Sequence, residues 1–261
     1  MNRALAVAKT GLDGQQMRLA VISNNLANVN TTGFKKGQAN FADLLYQNIR
    51  QPGALSSQNS QLPSGLMLGT GVRVVSTDKL YAQGNLVQTE ATLDLAIQGG
   101  GFFEILLPDG TTAYTRDGNF QSNSDGDIVT SEGFSLQPGI TLPEDLLSLS
   151  ISSDGIVSAV VAGNATPQVL GTLQLSEFTN PAGLQPLGNN LLVETAASGS
   201  PQTGAPGLDG RGLLIQGSLE NSNVNVVEEL VGMIETQRAY EMNSRAISTA
   251  DEMLQFVTQN L

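Results

Sequence analysis

The chain has 261 residues, 40% of them hydrophobic but only 5% aromatic, enough for one large domain or two modest ones. It contains no His and no Cys, which removes imidazole acid–base catalysis, thiol nucleophiles and the common zinc sites. With 24 acidic against 12 basic residues it carries a net charge of −12, which argues against a nucleic-acid partner and against an anionic membrane surface.

Residues 1 to about 45 read as helix. Leu5, Leu12, Leu19 and Leu26 recur every seven residues, with Ala8, Gln15, Ile22 and Val29 three positions behind, which is a heptad seam. Gly11 and Gly14 lie inside it, each costing ~1 kcal/mol relative to Ala, so the helix is weak alone and is expected to order on docking. The run Ala4–Ala8, cut by Lys9, is too short for the apolar core of a cleaved secretory signal. Export would therefore use a route that keeps the N-terminus.

The seam closes in "SNNLANVNTTGFKK", Ser23 to Lys36, where Asn24, Asn25, Asn28 and Asn30 crowd the last turns and Gly33 is the expected stop. Asparagine competes for backbone hydrogen bonds and is a mediocre helix former. Its presence here fits side chains that bond across helices and fix register. Residues 46–70 follow, rich in Gly and Pro and without a clear period, an extended stretch expected to order against a partner.

Residues 71–219 are β by pattern. Asp109-Gly110, Asp117-Gly118, Asp125-Gly126 and Asp154-Gly155 separate short alternating runs, which predicts an antiparallel all-β domain built of hairpins. Asp117, Asn119, Asp125 and Asp127 do not match a calcium loop: counted from Asn123, the sixth residue is Ile128 and the twelfth Phe134. Gly99-Gly100-Gly101 lacks the spacing of a phosphate loop. No motif selects a catalytic residue, a cofactor site or a metal site.

Residues 220–261 read as helix again, with Asn223 as the expected N-cap and Glu228 and Glu229 near the favourable end of the dipole. Val226, Met233, Tyr240, Ile247, Leu254 and Leu261 recur every seven residues, but the companion seam decays from Leu230 into Gln237, Ser244, Asp251 and Thr258. One apolar stripe between polar flanks suits a helix that touches several neighbours. Residues 1–45 hold five basic against two acidic side chains, and residues 215–261 hold two against seven, so the two ends are complementary in charge. No segment approaches the ~18 consecutive apolar residues of a membrane span, so lipid insertion is not expected.

Ser23–Lys36 and the C-terminal "NVNVVEELVGMIETQRAYEMNSRAISTADEMLQ", Asn223 to Gln255, closely resemble the two end signatures of the flagellar rod and hook family of axial proteins. "GNLVQTEATLDLAIQGGGFFEI", Gly84 to Ile105, and "AYTRDGNF", Ala113 to Phe120, are similar to its distal-rod branch. The resemblance implies an α+β fold, with N- and C-terminal helices paired in a coiled-coil axial domain and a central antiparallel β domain outside it. It implies a non-enzymatic homopolymer subunit of the basal-body rod in the periplasm, exported unfolded without cleavage. The two heptad seams and the four asparagines would then make the inter-subunit packing. The implied partners are proximal-rod and hook-side axial proteins, a rod cap, the P and L rings, and the flagellar export apparatus. Phe41 and Leu45 are similar in spacing to an export-gate element of such substrates. A sister axial protein, and a secreted enzyme acting on cell wall, remain alternatives at this point.

Overall fold

The computed structural model describes residues 2–53, 55–57, 60–61 and 63–259. The chain is α+β, with a helix at each end and antiparallel sheet between them, and it divides into two compact units.

One unit comprises residues 1–27, 37–78 and 225–261. Its helices α1 (Asn2–Ala27) and α2 (Val226–Gln259) lie side by side. They run antiparallel: Gly11 faces Asn243, Ile22 rests on Gly232, and Asn25 bonds Glu229. The glycines that weaken α1 are therefore contact points, Gly11 against the Asn243 amide and Gly14 against the Phe41 ring and Val72. Strand Gly37–Asp43 pairs with Val72–Lys79, and Gln47–Arg50 pairs antiparallel with Leu66–Leu68. The 46–70 stretch thus contains local ladders, including Leu55–Ser57 with Ser60–Gln61.

Two boundaries differ from expectation. The first helix stops at Ala27 and does not run to residue 45. Asn28 takes over its end: its carbonyl accepts the Thr31 N–H and its Oδ1 the Thr31 hydroxyl, so side-chain and turn bonding displaces the helical ladder. The N-cap of α2 is Asn225, not Asn223, because the Asn225 Oδ1 accepts the Val227 N–H at 3.0 Å. Asn223 has other partners, described below.

The other unit comprises residues 28–36 and 79–224. Its main sheet has seven antiparallel strands in the order Phe120–Ser122, Ile128–Thr130, Ser135–Gln137, Phe103–Leu106, Thr112–Thr115, Leu191–Val193, Gln185–Gly188. Successive side chains leave opposite faces of a strand, and both faces are covered here. Phe103, Ile105, Ala113 and Leu191 enter the main core with Leu95, Ile97, Leu136, Val157 and Leu173. Their neighbours Phe102, Tyr114 and Leu192 join Phe178 and Leu184 in a smaller cluster on the other side. With no Trp, edge-to-face pairs such as Phe103–Phe120, centroids 5.1 Å apart, carry the aromatic packing.

Asp109-Gly110, Asp125-Gly126 and Asp154-Gly155 sit at hairpin turns between paired strands. Asp117-Gly118 does not: its flanking strands pair with others, and a Cβ on Gly118 would stand 1.6 Å from the Leu95 carbonyl oxygen. That glycine is required by close backbone approach, not by turn geometry. The Asn and Asp side chains of the region serve the turns. Asn123 Oδ1 accepts the Asp125 and Asp127 N–H groups, and Asp127 Oδ1 accepts the Thr141 hydroxyl.

Candidate assembly site

Apart from Ile22, which is buried against Gly232, the inner line of the helix pair is small and polar, not leucine-rich. Asn25, almost fully buried, donates from Nδ2 to the Gly37 carbonyl at 2.9 Å and to Glu229 Oε2 at 3.2 Å, and accepts the Gly37 N–H at 2.8 Å. One side chain thereby ties α1 to the returning strand and to α2. Thr236, also buried, donates its hydroxyl to the Gly232 carbonyl. Asn25→Ala will leave the part-buried Gly37 N–H and carbonyl and the Glu229 carboxylate without this partner. The expected loss, read by urea unfolding, is roughly 1–3 kcal/mol, and an unchanged midpoint would mean the amide is idle.

A second polar constellation lies in the β unit. Glu220 is 2% exposed. Its Oε1 accepts the Lys35 ammonium at 2.6 Å and the Gly84 N–H at 2.8 Å, while Arg116 Nε approaches Oε2 at 3.6 Å. Lys35 also donates to the Ala82 carbonyl, and Arg116 Nη2 to that of Gly99. Burial pushes the Lys35 ammonium below its ordinary range, opposed by its hydrogen bond to Glu220 and reinforced by the Arg116 charge. Arg116 is lowered for the same first reason, desolvation, with Glu220 opposing. Around these charges the backbone is knitted together. Gly33 N–H meets the Glu220 carbonyl at 2.8 Å, Lys36 N–H meets Asn223 Oδ1 at 2.7 Å, and Asn223 Nδ2 spans the Leu80 and Ala82 carbonyls. Gly33 has φ +68°, and a Cβ there would lie 2.6 Å from the Asp117 nitrogen, so no other residue fits.

Three family models match successive parts of the chain. The flagella basal body rod protein model matches residues 5–35, the flagellar hook protein FlgE/F/G D1 domain residues 96–159, and the flagellar basal body rod FlgEFG protein C-terminal model residues 215–260. The flagellar basal-body rod protein FlgG of Buchnera aphidicola from Acyrthosiphon pisum is 55% identical, covering 98% of both chains. That of Caulobacter vibrioides is 48% identical over 98% of both, and that of Bacillus subtilis 40% identical over 98% of this chain and 97% of its own. The chain belongs to the FlgG family of flagellar basal-body rod proteins. It is a structural protein of that family, not an enzyme. Lys35, Arg116 and Glu220 fall one in each of the three matched segments of this FlgG-family chain.

The seam residues stand beside the inner line of the helix pair. Leu5, Leu12, Leu19 and Leu26 are each half-buried, as are Met233, Tyr240 and Ile247, while Val226 is exposed. The Leu254 side chain and Leu261 lie outside the described residues. Asn24 and Asn30 are exposed, and Asn28 is spent on its turn. Of the export pair, Phe41 covers Gly14 with its ring while keeping 40% exposure, and Leu45 is 90% exposed. Heptad reading missed an outward stripe on α2. Val227, Leu230, Val231 and Ile234 follow helical i, i+3, i+4, i+7 spacing and are 69, 42, 50 and 50% exposed. It missed the Glu220 cluster as well, although Glu220 is the lone charge between Arg211 and Glu228, which is the signal to look for.

Proposed function

We propose that the chain is a subunit of the distal rod, polymerising with its own copies into a helical tube that carries torque from the basal-body motor to the hook. The observation that carries this reading is the outward apolar stripe of α2 beside two half-buried seams. A helix pair that satisfies itself would not leave bulky side chains open on that scale, whereas a subunit awaiting neighbours would. Contacts between unlike patches, repeated without closing, generate a helical tube. In this reading the terminal helices pair as a coiled coil around the axis, and Asn24 and Asn30 join the leucine and Val226–Ile247 seams in packing between subunits.

Residues 46–70 lie against the adjacent subunit, where the exposed Tyr46, Ile49 and Leu66–Leu68 would be covered. The sequence resemblance supports the remaining partners: proximal-rod and hook-side axial proteins, the rod cap, and the P and L rings around a periplasmic rod. It also supports export of the unfolded chain through the flagellar apparatus, with Phe41 and Leu45 read at the gate. Removing residues 226–261 from the chain in a motile host is expected to abolish rods and swimming while the β unit still folds. Straight rods of normal length built from the truncated chain would refute the reading.

A further inference from the structure

We propose that Glu220 is a positioning residue, whose buried carboxylate sets the register of the segments 32–36, 79–85 and 218–223 and is kept for that register rather than for stability. All three segments belong to the β unit. They lie far apart in sequence: the contact from Lys35 to Glu220 spans 185 positions, and the one strand ladder among them joins Ser218–Glu220 to Leu86–Gln88 and leaves 32–36 outside it. Backbone bonds alone are a weak guide, since a strand shifted by two residues offers the same donors and acceptors. A charge is less forgiving. Sliding Glu220 by two positions would bring Ser218 or Ser222 opposite the Lys35 ammonium and the Arg116 guanidinium, leaving two buried cations without a counter-ion.

The geometry argues that stability is not what the cluster supplies. The Lys35, Arg116 and Glu220 side chains are 3, 5 and 1% exposed, so all three have given up hydration. Yet the Arg116–Glu220 contact is long, and Arg116 Nη1 and Glu220 Oε2 are buried without a hydrogen-bond partner. Desolvated charges in an incompletely closed pair are the case in which an apolar replacement of similar volume is neutral or stabilising. A cluster that costs stability and is buried where the three segments meet Arg116 fits a register device, as a buried polar residue does in a coiled coil.

The test uses the full chain in dilute solution, below the concentration at which it assembles, and does not depend on the rod reading. Two variants are compared with wild type, Glu220→Gln and the apolar triple Lys35→Met, Arg116→Met, Glu220→Leu. Thermal midpoints are read by circular dichroism and amide exchange by NMR. The informative amides are Gly33 and Lys36, whose acceptors are the residue-220 backbone carbonyl and the Asn223 side chain, not the carboxylate itself. Glu220→Gln should melt below wild type. The triple variant should melt at or above wild type, yet exchange at Gly33 and Lys36 at least about tenfold faster, with the Phe103–Leu106 and Thr112–Thr115 ladder unchanged. A triple variant with wild-type protection at Gly33 and Lys36 overturns the proposal, because packing then sets the register. So does one that melts well below wild type or fails to fold, because the charges then carry stability, and so does a Glu220→Gln midpoint equal to wild type.

Discussion

Replacing Val231 and Ile234 together by Glu will leave the monomer folded and stop it from polymerising. Both side chains are half exposed on the face of α2 turned away from the line that meets α1, which runs through Glu229, Gly232, Thr236 and Asn243. Exposed substitutions away from caps and contacts change stability by about 0.5 kcal/mol or less, so the thermal midpoint should barely move. In a polymer the same positions would sit desolvated against a neighbour. An unpaired carboxylate buried there costs several kcal/mol, repeated in every subunit, which is enough to remove assembly at any practical concentration. Sedimentation of purified protein separates the cases: wild type should form large species and the double variant should stay monomeric. Tubes from the double variant would mean that the stripe is not a contact.

The largest stability effect is expected in the β unit. Phe103 is fully buried, packs edge-on against Phe120 and belongs to the main core. Phe103→Ala removes a whole ring from the central strand of a seven-stranded sheet and leaves a cavity among Ile105, Ala113 and their neighbours. The expected loss is roughly 3–5 kcal/mol by chemical denaturation, because such a core relaxes only in part. A loss under ~1 kcal/mol would mean that the sheet collapses onto the void or that the ring is not central to the core.

How far the sequence foretold this molecule depends on which force set each feature. Period and turn chemistry act locally, so the two terminal helices and the hairpins at Asp109-Gly110, Asp125-Gly126 and Asp154-Gly155 were legible. Gly118 carries the local signature of a turn glycine, whereas the Leu95 carbonyl that excludes a Cβ there is distant in sequence. Asn223 has the local signature of the α2 cap, but long-range contacts decide against it. Its side chain is claimed by Lys36, Leu80 and Ala82, which leaves the cap to Asn225. The heptad seam was visible and supplies Ile22 to the contact line, but a hydrophobicity count cannot weigh Gly11, Asn25, Gly232 and Thr236, where small size and hydrogen bonds replace apolar bulk. The four asparagines likewise proved to have different environments: Asn25 is buried between three elements, Asn28 closes a turn, and Asn24 and Asn30 face outward.

The central claim is that the outward faces of α1 and α2 are made to be covered by other copies of the same chain. Electron cryo-microscopy of isolated basal bodies, with this chain fitted into the rod density, tests it most directly. The account predicts terminal helices around the axis, with Val227, Leu230, Val231 and Ile234 of each copy buried against a neighbour. Rod density in which that stripe faces open solvent in every copy would contradict it.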